Sequence, residues 1–314
     1  MAVYRTLRLS VTDRCNLRCR YCMPPEGVPS VPHASLPSLE ELGELAGFLC
    51  RHLGLRKIRL TGGEPLVRRG LPRLVRILSS LPAMEEVNLT TNGILLPDLA
   101  DELRAAGLHR VNLSLDTLDP GRYFHVTRGG DLRKALRGLE AARRAGLVPV
   151  KLNAVLRKST FRLDVPDLLD FAAEEGLEIR FIELMETGPQ SAWASSEFVA
   201  AGEVRERLGL SDWEPDGGGS APSRTGLLSW RGRRIRVGWI TPLSEGFCGA
   251  CDRLRMDARG RLFRCLMDGQ GLDLAGLWRD GGPEGASLRL APYLQGKRPP
   301  AAMVRSEAMG AVGG

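Results

Sequence analysis

The sequence predicts an α/β protein: a partial (β/α)6 TIM-like barrel over residues 1–210, followed by a small C-terminal region over 211–314. Three observations carry this. Six short runs of β-like alternation take turns with stretches of helical periodicity, and several helical stretches close on glycine, which accepts the left-handed conformation of a helix end. After about Gly188 the alternation gives way to Gly/Pro/Ser-rich segments and hairpin patterns. Parallel strands joined by right-handed crossovers curl toward a barrel and gather the loops that follow them on one face. An open doubly wound sheet is the alternative.

The strands are read in order as "YRTLRLSV", "RKIRLT", "EVNLTT", "RVNLSL", "VPVKLNAVL" and "EIRFIEL". Between them lie the amphipathic segments "SLEELGELAGFLCRHLG", "LPDLADELRAAG", "LRKALRGLEAARRAG" and "VPDLLDFAAEEG". Gly217 to Ser220 reads as a linker or long loop. Beyond it "GLLSWRGRRIRVGWI" reads as a hairpin, and "RLRMDARGRLFRC" as a second one turning around "DARG". In that second hairpin the period of two sets Arg253 and Arg255 on one face and Leu254 and Met256 on the other.

At 314 residues the chain has core enough to fold without crosslinks. No apolar run at the start is long enough for a signal peptide and none reaches the length of a membrane span, so the expectation is a cytoplasmic protein. Seven cysteines, an odd number, then point to metal ligands, catalytic thiols or core residues rather than bridges. The formal charge of +7 comes from 39 Arg and 5 Lys spread along the chain. Without a polybasic run it argues weakly for nucleic acid and fits a phosphorylated small molecule equally well.

Barrel logic places reactivity at the strand ends. There the sequence offers the loop "CNLRCRYC" with Cys15, Cys19 and Cys22, then "TGGEP" (Thr61 to Pro65), "TTNG" (Thr90 to Gly93), "SLD" (Ser114 to Asp116), Lys151 and Asn153 on the fifth strand, and "ELMETG" around Met185. Three thiols at C-x3-C-x2-C leave one position open: His33 could complete a zinc site, whereas a cubane held by three cysteines exposes one iron to an outside ligand. Cys248, Cys251 and Cys265 form a second trio at C-x2-C-x13-C, with Arg253 and Arg255 beside it as an anion clamp. A degenerate zinc knuckle is the competing assignment for that trio. Cys50, in an apolar helical stretch, reads as core.

"CNLRCRYC" followed by "TGGEP" resembles the radical S-adenosylmethionine (SAM) superfamily, whose fold is a full or partial β/α barrel. The second trio, the Arg-x-Arg after it and the terminal Gly313-Gly314 make the chain similar, over nearly its whole length, to the GTP 3′,8-cyclase family of molybdenum cofactor biosynthesis. The resemblance implies that Cys15, Cys19 and Cys22 hold a 4Fe-4S cluster whose free iron chelates S-adenosylmethionine, with Tyr21, Gly63, Ser114 and Met185 as cofactor contacts. It places GTP contacts on Arg8, Arg59, Thr90, Lys151, Arg253 and Arg255, with the Arg253/Arg255 pair as the catalytic clamp. It also gives Cys248, Cys251 and Cys265 a second 4Fe-4S cluster that meets the guanine base, and sends the Gly313-Gly314 tail toward the active site.

The reaction so implied is a radical SAM lyase step from GTP to (8S)-3′,8-cyclo-7,8-dihydroguanosine 5′-triphosphate. A reductant such as a flavodoxin or ferredoxin and the downstream cyclic pyranopterin monophosphate synthase would be its partners. A homodimer is possible; nucleic acid and membrane are not expected. The cationic residues are read as gathering at one barrel mouth to hold a triphosphate. Asp252 stands where the family commonly has Asn, "RMDARG" replaces "RLTADG", and "GPQSAWA" and "DGGGS" are idiosyncratic. Two rivals are a peptide-modifying radical SAM maturase with an auxiliary cluster and a basic zinc-containing module that binds nucleic acid.

Overall fold

A computed structural model describes residues 4–28, 32, 35–185, 191–217, 223–246 and 251–295. Its first part alternates strand and helix as the periodicity predicts. β1 (Thr6–Ser10), α1 (Leu39–Leu53), β2 (Lys57–Thr61), α2 (Leu71–Ser79), β3 (Glu86–Thr91), α3 (Ala100–Ala105) and β4 (Arg110–Ser114) are followed by two helices, α4 (Pro120–Thr127) and α5 (Leu132–Arg144). Then come β5 (Lys151–Val155), α6 (Phe161–Glu175) and β6 (Glu178–Ile182). Local chemistry sets the boundaries. Ser38 caps α1 by accepting from the Glu41 N–H at 3.0 Å, and Asp119 and Asp131 do the same for α4 and α5. Gly54 and Gly176, both with positive φ, end α1 and α6.

β1 to β6 pair in sequence order and all in parallel. Leu7, Leu9, Ile58, Leu60, Val87, Leu89, Val111, Leu113, Leu152, Ala154, Ile179 and Phe181 point outward under the helices and are buried. This layer between strands and helices is the main core. By the area rule each such aliphatic side chain contributes about 1.5–3 kcal/mol.

The second part does not stand beside the sheet; it extends it. α7 (Ser191–Glu197) and α8 (Ala201–Arg207) precede β7 (Trp213–Pro215), and β8 (Ser223–Trp230) and β9 (Arg233–Ile240) form the first expected hairpin. β9 pairs in parallel with β6, continuing the barrel at one edge. β10 (Arg253–Met256) and β11 (Arg261–Phe263) form the second hairpin, and β10 pairs in parallel with β1 at the other edge. With β12 (Leu272–Asp273) the result is one sheet of twelve strands in the order β12-β11-β10-β1-β2-β3-β4-β5-β6-β9-β8-β7. The six expected parallel strands are thus flanked by two more.

The last described helix, α9 (Leu274–Gln295), packs on α1 before it breaks at Gly282. Arg279 pairs with Glu41 at 2.7 Å, and Trp278 packs edge-on against Phe48. Among the described residues no helix is long and apolar enough to cross a membrane.

Candidate active site

The inner face of the parallel strands decides what this barrel can do. An ordinary (β/α) barrel fills its interior with branched aliphatic side chains. Here the period of two that buries Leu7 and Leu9 outside turns Thr6, Arg8 and Ser10 inward, and every neighbouring strand repeats the pattern with polar residues. The register aligns them in rows. Arg8 lies directly between Arg255 on β10 and Arg59 on β2, and the row continues through Asn88 to Arg110. A neighbouring row joins Thr90, Asn112, Lys151 and Glu178. Arg253, two residues before Arg255, shares its face.

Three guanidiniums on adjacent strands repel one another. At a strand spacing of about 4.8 Å two unit charges cost roughly 3 kcal/mol even at an effective dielectric of 20. Burial, followed by Arg255 and Arg253, pulls the Arg8 guanidinium well below its ordinary range. Burial and then Arg8, Arg180, Arg110 and Arg253 do the same to Arg59, whose Nε is buried without a hydrogen-bond partner. Since a guanidinium keeps its proton at any working pH, like charges buried side by side favour an anion between them.

Two carboxylates temper that field. Glu178 accepts from Lys151 Nζ at 2.7 Å and from Arg180, and Glu86 accepts from Arg110 Nε at 2.6 Å. The expectation that the cations gather at one mouth is therefore corrected. They line the interior between the two ends of the strands, because period-two alternation exposes inward positions along the whole strand length, and Lys151 already holds a counter-ion. Arg110, Arg180, Glu86, Glu178, Asn88 and Asn112 escaped the sequence analysis.

At the C-terminal end of the strands, Cys15, Cys19 and Cys22 sit partly buried on the loop after β1. The Cys15 sulfur accepts from the Leu17 N–H at 3.4 Å, and the N–H groups of Cys22 and Met23 bond the Cys19 carbonyl in a tight turn. Burial pushes the Cys15 thiol up to about 11, and burial followed by the nearby Cys22 raises Cys19 as well. Thiols so disposed become ligands when a metal supplies the compensating positive charge. Among the described residues no three His, Cys, Asp or Glu side chains come close enough together to chelate one ion. A cubane binds its ligands on separate corners, and three thiols on one short loop, with Cys22 and Cys15 both raising Cys19, are a donor set suited to such a cluster.

The loops around this trio are tied down by three buried carboxyl groups, one after every second strand. Glu64, in "TGGEP" after β2, accepts from Thr91 Oγ1 at 2.6 Å and the Asn92 N–H at 2.8 Å, both at the end of β3. Asp116, after β4, accepts from the Val155 N–H of β5 at 2.9 Å and from Tyr21 Oη of the cysteine loop at 2.8 Å. Glu183, after β6, accepts from the N–H groups of Ala201, Leu243 and Ser244, the latter two beyond β9. Each carboxylate stitches its own strand end to the next strand of the sheet. Gly63 packs so tightly under the cysteine loop that an added Cβ would stand 2.3 Å from the Arg14 carbonyl oxygen. Ser114 ends β4 on the inner face, two residues before Asp116.

The second cysteine group lies toward the opposite end. Cys251 precedes β10, beside Tyr4 ahead of β1, whereas Cys15 follows β1. The β10–β11 register pairs Arg255 with Phe263 and Met256 with Leu262, and Cys265 follows β11 two residues on. Cys265 packs with Leu266 and Met267, and Met185 packs against the same patch. Cys251 and Cys265 supply two of three thiols. Cys248 lies outside the described residues, as do His33, Gly313 and Gly314.

Comparisons with known proteins cover nearly the whole chain. The profile of the radical SAM superfamily matches residues 9–172, and that of Molybdenum Cofactor Synthesis C matches residues 177–299. A GTP 3′,8-cyclase of Pelotomaculum thermopropionicum is 47% identical over 281 residues, covering 88% of this chain and 85% of that protein. One of Moorella thermoacetica is 46% identical over 283 residues, covering 88% and 86%. Among solved structures, Streptococcus suis SuiB bound to S-adenosylmethionine superposes with a TM-score of 0.63 at 14% identity, over 90% of this chain and 65% of that one, a likeness of fold.

Proposed function

This chain belongs to the GTP 3′,8-cyclases of the radical SAM superfamily, and from that premise we propose a role for each group lining its barrel. The activity is the conversion of GTP to (8S)-3′,8-cyclo-7,8-dihydroguanosine 5′-triphosphate, the first step of molybdenum cofactor biosynthesis. Cys15, Cys19 and Cys22 hold one 4Fe-4S cluster, and Tyr21, Gly63, Ser114 and Met185 border the S-adenosylmethionine bound to it. Cys251 and Cys265, with Cys248, hold a second cluster. When bound, the first cluster and its cofactor supply a 5′-deoxyadenosyl radical able to take hydrogen from the ribose 3′ carbon.

The chain's own residues do the rest. Arg8, Arg59 and Arg255, with Arg253 and Lys151, take the triphosphate, and Thr90 offers a hydroxyl beside them. The observation that carries this is the Arg255–Arg8–Arg59 row on three adjacent strands, flanked along the strand direction by cysteines on either side. A tetra-anion converts its mutual repulsion into attraction and fixes the nucleotide lengthwise, ribose toward Cys15–Cys22 and base toward Cys251 and Cys265. Fixing both reacting ends accounts for most of what a protein adds to radical chemistry. Asp116 holds Tyr21, and Glu64 holds the end of β3, so that the cofactor side stays rigid while the substrate side charges and discharges. A peptide-modifying maturase has no use for three aligned guanidiniums.

We assign the electron supply to a small protein carrier such as a flavodoxin or ferredoxin. The product passes by diffusion to cyclic pyranopterin monophosphate synthase. The test is anaerobic turnover with reductant, S-adenosylmethionine and GTP. 5′-Deoxyadenosine should form together with loss of GTP, and Arg255→Ala should uncouple the two. Normal coupled cyclisation by Arg255→Ala overturns the assignment of the row.

A further inference from the structure

One face of α4 is exposed among the described residues and yet is joined to the loop that carries Cys15, Cys19 and Cys22. Gly121, Phe124, His125 and Arg128 recur at the spacing of a single helical stripe; the first three are exposed, Phe124 by 62%. The end of this stripe grips the cysteine loop. The carbonyls of Val126 and Thr127 accept from the N–H groups of Arg20 (2.9 Å) and Arg18 (3.1 Å). Arg128, held at a positive φ of 53°, reaches back to donate to the Arg18 and Met23 carbonyls at 2.9 and 2.7 Å. The exposed stripe is thus the outer surface of the structure that frames Cys19 and Cys22.

Its surroundings are cationic. Arg14 is exposed beside Cys15, Arg20 stands close enough to Arg128 to influence it, and Arg133, five residues on at the start of α5, is 85% exposed. The acidic residues nearby are Glu26, Asp131, which caps α5 and pairs with Arg133 at 3.4 Å, and Asp119, which caps α4 and stands against Gly121. A lone exposed aromatic ring is unremarkable by itself. One on the helix that grips the arginine-bearing loop of a redox centre has the layout of a transient interface, an aromatic anchor with a steering rim.

We propose that the Phe124 face of α4, with Arg14, Arg20, Arg128 and Arg133, is the docking surface for an acidic one-electron carrier protein that reduces the cluster at Cys15, Cys19 and Cys22. This rests on the cluster assignment made above. Complementarity of charge brings the carrier in rapidly, and Phe124 fixes its orientation with the redox centre facing the loop. The small size of the patch suits a weak, fast-exchanging electron-transfer complex.

The test measures anaerobic cluster reduction in the full-length holoenzyme by two reductants, reduced flavodoxin and dithionite. Phe124→Ala and Arg133→Glu should each slow flavodoxin-driven reduction about tenfold at low salt, and raising the salt should narrow the gap between wild type and Arg133→Glu. Dithionite-driven reduction and iron content should match wild type in both variants. Unchanged flavodoxin-driven rates overturn the docking surface, as does an equal slowing with both reductants. Absence of a reducible cluster in wild type would instead overturn the cluster assignment, so the two failures are told apart.

Discussion

The two ends of the barrel are built in different ways. At the C-terminal end the loops are locked by local chemistry: Glu64, Asp116 and Glu183 each accept bonds from the following strand, and Gly63 leaves no space beneath Arg14. At the other end Cys251 and Cys265 are delivered by a hairpin held by the parallel pairing of β10 with β1, by α9 through Tyr293 on the Leu262 carbonyl, and by the Leu266–Met267 patch against Met185. The difference teaches that the first end is made for an invariant cofactor geometry, whereas the second is attached as a separate element and can be changed without dismantling the first.

The sharpest way to break that contrast is to remove one sulfur at each end. Cys19→Ala should abolish both S-adenosylmethionine cleavage and GTP consumption, whereas Cys265→Ala should abolish cyclisation while leaving reductive cleavage of S-adenosylmethionine measurable as 5′-deoxyadenosine. Equal loss of cleavage in both would erase the distinction between the ends. Between them lies the guanidinium row. Arg59→Ala should raise the KM for GTP about a hundredfold with a smaller change in kcat, as expected for a charge-assisted contact worth 2–3 kcal/mol. Calorimetry should show GTP raising the melting temperature of wild type, by about 2.7 kcal/mol of stability at one hundred times its Kd, and raising that of Arg59→Ala less at the same concentration.

The stitching carboxyl after β2 gives an effect of comparable size that needs no ligand. Burial pushes Glu64 up to about 7 from 4.5 despite its three hydrogen-bond donors. Between those pH values the unfolded chain has released a proton that the folded chain keeps. Stability should therefore fall as pH rises through that window, by on the order of 3 kcal/mol from this group alone. In the apoprotein, Glu64→Gln should flatten the decline in melting temperature between pH 5 and 7; an unchanged slope would place the proton elsewhere.

Much of this was legible in the sequence, for a physical reason: β1 to β6 and their helices are short-range patterns, and "RLRMDARGRLFRC" contains its own turn. α2 and α4 went unread, as α4 is an eight-residue helix with three buried residues. The pairing of β9 with β6 and of β10 with β1 was hidden because nothing in a strand's composition names a remote neighbour. The polar interior, by contrast, was available. Parallel strands covered on both faces should read as continuous apolar runs, yet "TLRLS", "KIRLT" and "RVNLS" place a polar residue at every second position. That departure alone would have drawn Arg110 and Asn112 into the candidate site. The bonds of Asp116 and Glu183 depend on which strand lies alongside, and no local pattern encodes them.

The placement of β9 and β10 has a consequence for how the molecule is made. Until residues 233–256 leave the ribosome, β1 and β6 are bare edges with unpaired backbone groups, an invitation to pair with a neighbouring nascent chain. The first strand must wait for a segment nearly 250 residues downstream, Thr6 beside Arg253. Synthesis thus ends with a suture, and cells that make this protein quickly should depend on chaperones to guard the open seam.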